Sequence, residues 1–581
     1  MKWNKLKSSA FIFLIIAAHA LIVMGIARYL YSPNNRNPET AQNLQDGIEI
    51  AKLARGWMKT ELIFNESTGN AYFAKLVADN AGNIHLVWYD STDYNGAGTD
   101  EDIFYRLWNT SIGYWGPIEV VSLEHNGSSF VPSITVDGDG HVHLAWIDNT
   151  NYSGSGEDYD IFYKRGNTTT GNWTPTVVLS NVSDDFSMDP ALAVDVYGNA
   201  HVVWADRSNY NDSGSDNDIF YRYWNATTDT WTITQVLTME SNSSSGLPSV
   251  AVDSNRTVHV VWRESTASYE EVFYKYCNAT TYAWSSAELI STEFQGDHVV
   301  PEIAVDKAGH LHVVWRSDGS YGSSGSDPDI FYKRWNATTG NWTTTEVVSS
   351  ESDMTSTQPA IATDCNGNVH VAWSDITDLD GGGSYPDIFY KCWNATTGNW
   401  TSTEVISTES TSVSANPTIT VDGIECVHVA WEDATDYNGA GSDWDIFYKK
   451  TVPIPEAPVL ASIWPNPDVD GIIELNWSAV GGATIYHIYR ATSSIITIDG
   501  MSPIGTSFTN NYTDRVPTNG IYYYVVVAGN ASGNSSISNC EWVEVAIPFI
   551  IPGFALYVGI FAVIALMIMQ HRKKSAPKLE F

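Results

Sequence analysis

The chain has 581 residues, enough for several domains, and 67 acidic side chains stand against only 30 Lys and Arg, a net charge of −37. So acidic a surface repels polyanions, which excludes a nucleic-acid-binding role and favours cations instead. Aromatic residues are abundant at 13%, charged residues few at 17%, and Gly numbers 43. That balance suits short strands joined by Gly, Asn and Asp turns.

In chain order, Lys2, Lys5 and Lys7 precede an apolar run over residues 10–27. Residues 1–30 read as a signal anchor or as a signal peptide cut near Ala18-His19-Ala20. Either segment exports the body of the chain. Residues 31–55 form a linker. Asn-x-Ser/Thr sites begin only at Asn65 and recur at Asn109, Asn126, Asn151, Asn278 and Asn394, which fits a glycosylated, exported body.

Residues 56–450 are dominated by self-similarity, the signature of a repeat architecture. A His-x-x-Trp marker recurs at His85/Trp88, His143/Trp146, His201/Trp204, His259/Trp262, His312/Trp315, His370/Trp373 and His428/Trp431. Successive histidines lie 58 residues apart, except for one interval of 53. Each unit parses into four strands, represented by Pro132–Asp137, Val142–Trp146, Asp160–Arg165 and Trp173–Ser180. Four antiparallel strands per unit predict propeller blades, seven in all. The seventh unit stops after Asp445–Lys450 without a fourth strand, whereas Gly56–Phe64 matches the fourth strand Gly171–Leu179. The pattern therefore predicts an all-β, seven-bladed propeller closed by its N-terminal strand, an arrangement that removes free sheet edges.

Three groups of residues within the repeat are candidates for chemistry. The histidines diverge from blade to blade and cannot converge on one ion, so packing is their expected role. The long loop after the second strand carries aspartates at Asp100 and Asp102, Asp158 and Asp160, Asp216 and Asp218, Asp327 and Asp329, Asp387, and Asp443 and Asp445. Tyr385 breaks this pattern in the sixth unit, and Glu264 and Glu271 replace the aspartates in the fourth. Beside Gly-rich backbone such carboxylates suit Ca²⁺, and they equally suit backbone N–H groups that fix the loop. Departures from the repeat form the third group: Arg207, Arg263 and Arg316 follow Trp204, Trp262 and Trp315. Guanidinium groups near one rim suit a carboxylate or sulfate.

Residues Asn336–Trp342 sit where sialidase-like propellers of the BNR type place their Asp-box turn, although the Ser-x-Asp-x-Gly-x-Thr-Trp pattern is absent. The chain resembles that group. The resemblance implies an arginine cluster for the substrate carboxylate and a Tyr/Glu nucleophile, for which Tyr269 and Glu270 are the candidates. It leaves two functions open: a surface protein binding a glycan or another surface protein, and a sialidase-like glycosidase.

Residues 451–546 change texture. Leu475-Asn476-Trp477, Tyr486-His487-Ile488-Tyr489-Arg490 and Tyr522–Asn530 resemble a fibronectin type III domain, which implies a β-sandwich without chemistry of its own. Residues 547–570 include an apolar run long enough to span hydrocarbon, and His571, Arg572, Lys573 and Lys574 open a basic cytoplasmic tail, 571–581. Pro552-Gly553-Phe554 resembles the PGF-type sorting tail of archaeal surface proteins. The expected location is the cell membrane, with the main body outside. Cys277, Cys365, Cys392, Cys426 and Cys540 are too few for a disulfide framework; Cys365 and Cys426 are compatible with one bridge or with separate thiols.

Overall fold

The computed structural model describes residues 56–548, apart from a few loop positions, and residues 563–569. The first apolar segment and most of the second lie outside the described residues. Among those described, no helix is long and apolar enough to cross a membrane. The architecture is all-β, built from antiparallel sheets.

Each repeat forms one sheet. In the second, Ser129–Val136 pairs with His141–Asp148, which pairs with Asp160–Asn167, and two short pieces, Asn172–Trp173 and Val177–Val178, finish its edge. The sequence predicts one continuous fourth strand here. It is interrupted where the Thr174 hydroxyl accepts the Arg165 N–H at 3.0 Å in place of a ladder bond, and Thr232, Thr343 and Thr401 do the same in the third, fifth and sixth repeats, which have no proline at the break. The first turn closes because Asp137 accepts the N–H groups of Asp139 and His141, while Gly140 takes a left-handed φ of 81°. The marker histidine is buried and bonded to a tyrosine hydroxyl of the third strand, as in His143 Nδ1 to Tyr163 at 2.7 Å. Burial lowers the imidazole's basicity at His143, His312 and His428. These histidines are packing groups, as expected. The marker tryptophans are fully buried or nearly so between sheets.

Three contacts recur at most seams between neighbouring sheets. The third-strand tyrosine meets the edge of the next repeat's tryptophan, as Tyr105 meets Trp173 at 5.4 Å and Tyr390 meets Trp57 at 5.3 Å. At four seams that tryptophan donates back to a carboxylate, as Trp173 does to Glu119 at 3.0 Å, whereas Trp284 donates to the Gln235 side-chain oxygen. A buried third-strand lysine reaches an outer carbonyl of the preceding repeat, as Lys164 reaches Val121 and Lys333 reaches Ile290, each at 2.8 Å. The scarce basic residues thus serve partly to hold sheets together.

Glu61–Leu62 pairs with Tyr448 and Phe447 and so completes the sheet of the seventh repeat. Trp57 makes both contacts its counterparts make, edge-on to Tyr390 and donating to Glu404 at 2.9 Å. Arg106 reaches the Ile63 carbonyl as Lys164 reaches Val121. The innermost strands touch in cyclic order, the last, Ser414–Val421, against the first, Ala71–Ala78.

Residues beyond 455 form two further sheets. Ile472–Asn476 pairs with Asn511–Arg515, and Ile485–Ala491 and Gly520–Asn530 lead a second sheet with Gly505–Ser507, Gly533–Asn534 and Glu541–Val545. Their core contains Trp477, Tyr486, Ile488, Tyr524 and Val543. The five cysteines are unbridged, with Cys365 exposed and Cys426 buried.

Candidate site at the channel mouth

Every innermost strand carries a bulge near its start. The extra residue takes a left-handed φ of 45–53° at Phe73, Val131, Asp189, Leu247, Val300, Gln358 and Asn416. Such a conformation costs a non-Gly residue on the order of 1–3 kcal/mol. Proline follows in six of the seven repeats, suited to a position where the bulge removes a ladder partner. All seven residues line one channel of about 570 Å³. One level along, Lys75 and Glu302, from the first and fifth repeats, pair at 3.3 Å, and Ser249 donates to the same carboxylate at 3.0 Å. The channel therefore has a polar cross-brace just inside its mouth.

The bulge sets a second row of residues opposite those that follow the marker tryptophans: Tyr72 faces Tyr89, Phe130 faces Ile147, Gly246 faces Arg263, Val299 faces Arg316 and Ala415 faces Glu432. The row is polarised. From the seventh to the third repeat runs an aromatic train, Trp444–Tyr72–Tyr89–Phe130–Tyr159–Phe186, with successive centroids 5.6–6.0 Å apart. Phe73 stacks on Tyr89 at 6.0 Å and is itself exposed, as is Phe186. The fourth and fifth repeats instead present Arg263 and Arg316.

Glu432 closes the circle. It is buried, accepts the Phe73 N–H at 2.5 Å and the Asn416 amide at 2.8 Å, and burial pushes its carboxyl up to about 7. Its nearness, added to burial, raises the Tyr72 and Tyr89 phenols, the latter to about 12. Burial also raises Asp189, against the Arg263 charge that lowers it.

The three arginines do not occupy one position. Arg263 and Arg316 are half-buried and in the same register, whereas Arg207 lies beyond its strand, exposed, 3.9 Å from Asp185. Arg263 pairs with Glu270 at 3.1 Å, and Ser265 also donates to Glu270 at 2.9 Å. Tyr269 sits exposed at the tip of that loop, its carbonyl accepting from Thr266. Arg316 has no ion-pair partner among the described residues.

Among the loop aspartates, the second of each pair begins the third strand and is buried: Asp102, Asp160, Asp218, Asp329, Asp387 and Asp445. In five of them a serine or threonine of the outer strand donates to Oδ1, as Ser180 does to Asp160 at 2.5 Å and Ser349 to Asp329 at 2.6 Å. At Asp445 the equivalent outer residue is Phe64, and burial pushes the carboxyl up to about 7. Burial raises Asp160, Asp329 and Asp387 to about 6. The first of each pair, Asp100, Asp158, Asp216, Asp327 and Asp443, is half-buried in the loop. No group of three or more His, Cys, Asp or Glu has metal-site spacing among the described residues.

No family model matches the sequence, and no curated protein is similar to it. Solved structures that match the chain include a fungal alcohol oxidase in complex with copper, 13% identical over 85% of this chain and 100% of that one, with a TM-score of 0.44. A leech intramolecular trans-sialidase is 11% identical over 68% of this chain and 70% of its own, at 0.36. FN3tt matches 17% of this chain and 100% of its own at 20% identity and 0.14. Likenesses at these scores decide nothing about activity.

Proposed function

We propose that this chain is a membrane-anchored cell-surface protein whose seven-bladed propeller, closed by its N-terminal strand, binds an acidic extracellular glycan at the mouth of the axial channel. The observation that carries the reading is the polarity of that mouth: an aromatic train on one side, Arg263 and Arg316 on the other. Ring faces suit the C–H faces of a pyranose, and a few convergent polar groups fix orientation in an otherwise apolar site. Guanidinium groups suit the carboxylate of a uronic or sialic acid. The fibronectin-like sandwich then serves as a spacer between propeller and anchor. Surface-exposed sequons such as Asn65, Asn126, Asn151 and Asn394 support an exported, glycosylated body.

Binding is favoured over sialidase-like hydrolysis because Arg207 stands apart from the other two arginines and Glu270 is engaged by Arg263. The test is glycan-array binding by the full chain in detergent. Uronate- and sialate-bearing oligosaccharides should bind in preference to neutral ones. Arg263→Ala with Arg316→Ala should weaken binding at least about tenfold, the loss of one charge-assisted contact, while Arg207→Ala leaves it unchanged. Full binding by the double variant overturns the reading, and turnover of a fluorogenic sialoside replaces it with hydrolysis.

A further inference from the structure

We propose that a cavity between the first and second sheets binds a small aromatic molecule of the indole class, neutral or cationic. The sister repeats show what the cavity fits. One residue before the asparagine that ends the third strand, the first, third, fifth and sixth repeats carry Trp108, Trp224, Trp335 and Trp393, whereas the second carries Gly166. The register is the same: Gly166 stands opposite Val142 as Trp224 stands opposite Ala200 and Trp393 opposite Val369. Each of these indoles lies against the preceding sheet. Trp393 is buried, 6.5 Å from the Tyr332 ring and 5.0 Å from the Arg334 guanidinium, and Trp224 lies 4.4 Å from Arg165 and 5.9 Å from His143. The fourth repeat has Cys277 at this position, and there Tyr282 stacks on Tyr223 instead.

Around Gly166 the same walls stand without that indole. Tyr105 and Leu107 take the places of Tyr332 and Arg334. Trp173 keeps its counterpart's contacts, edge-on to Tyr105 at 5.4 Å as Trp400 is to Tyr332 at 5.2 Å, and donating to Glu119 as Trp400 donates to Glu346. Its ring leans on the glycine, where a Cβ would stand 3.0 Å away, yet it does not close the gap. These residues and Val142 line a cavity of about 100 Å³. The rim at Pro117, Gly171 and Asn172 is exposed, so the cavity opens to solvent. An apolar cavity of about 150 Å³ left by a deleted side chain takes up a benzene ring. A ring seated here likewise gives the walls the dispersion contacts they otherwise lack.

Two residues set the charge preference. Leu107 stands where Arg165 and Arg334 place a cation against the sister indoles. Glu119 adds a carboxylate to the wall, and no basic residue lines the cavity. A ligand carboxylate is therefore discriminated against. The cavity shares no residue with the axial channel and does not depend on the glycan reading.

The probe is 5-fluoroindole, observed by fluorine NMR with the full chain in detergent and with detergent alone, which accounts for partition into micelles. A saturable bound signal of about one equivalent is expected, displaced by indole and tryptamine at concentrations where indole-3-acetate fails. Gly166→Trp restores the sister arrangement and should weaken binding at least about tenfold. Where its close approach to Trp173 prevents folding, Leu107→Trp fills the cavity from the opposite, half-buried wall and carries the test. A signal no larger than that of detergent alone, one that survives in the folded variants, or equal displacement by indole-3-acetate overturns the proposal.

Discussion

At Glu432 burial and hydrogen bonding pull against each other. Its carboxyl, ordinarily ionised well below neutrality, is pushed up to about 7 by burial although Phe73 and Asn416 both donate to it. Asp160, Asp329 and Asp387, raised to about 6, behave alike. A carboxyl raised on folding binds more protons folded than unfolded, so its contribution is full below about pH 4 and is lost as pH rises through its folded value. Metal-free protein should therefore lose thermal stability between about pH 4.5 and 7.5. Glu432→Gln cannot ionise, so the upper part of that decline should flatten in the variant. Parallel profiles of Tm against pH would remove Glu432 from this account. Arg263 and Arg316 were legible in the sequence as basic exceptions in an acid-rich repeat. Glu432 occupies the same position after Trp431, yet one acid among 67 does not stand out by its type. The aromatic train was not legible, because a bulge changes which face a residue presents, and sequence alternation does not reveal bulges.

At the scale of the element, the seven sheets and the displaced fourth strand could be read from periodicity alone, since a His-x-x-Trp marker needs no knowledge of packing. The split of the fourth strand could not, because a threonine hydroxyl standing in for a ladder bond looks like any strand residue. The contacts of Trp57 permit a direct comparison. It meets Tyr390 edge-on and donates to Glu404, as Trp173 does with Tyr105 and Glu119. Truncating a half-buried tryptophan costs about 2–3 kcal/mol, below the 3–5 of a fully buried one, including the aromatic pair. Trp57→Ala and Trp173→Ala should then destabilise alike, within about 1 kcal/mol, by denaturant titration. A silent Trp57→Ala beside a costly Trp173→Ala would mean that the N-terminal strand is an accessory and not part of the seventh blade.

For the whole molecule, cyclic contact makes each repeat depend on two neighbours, and the seventh depends on a segment nearly four hundred residues away in sequence. Deleting residues 31–66 removes the strand Glu61–Leu62, the buried side chains Ile63 and Phe64, and the carbonyl that Arg106 binds. It leaves the edge of Asp445–Lys450 unpaired, with Phe447 and Tyr448 uncovered on one side. An open, apolar edge is a template for pairing with another chain. Loss of several kcal/mol from one seam lowers Tm by about 5 °C in a domain of this size, unless the seventh sheet melts separately first. The deletion variant should accordingly show either that fall or concentration-dependent aggregation by light scattering, whereas removal of residues 31–54 alone should change neither. Melting of the longer deletion at the temperature of the intact chain, with no aggregation, would show that the ring does not need its N-terminal strand and would defeat the closed-propeller reading.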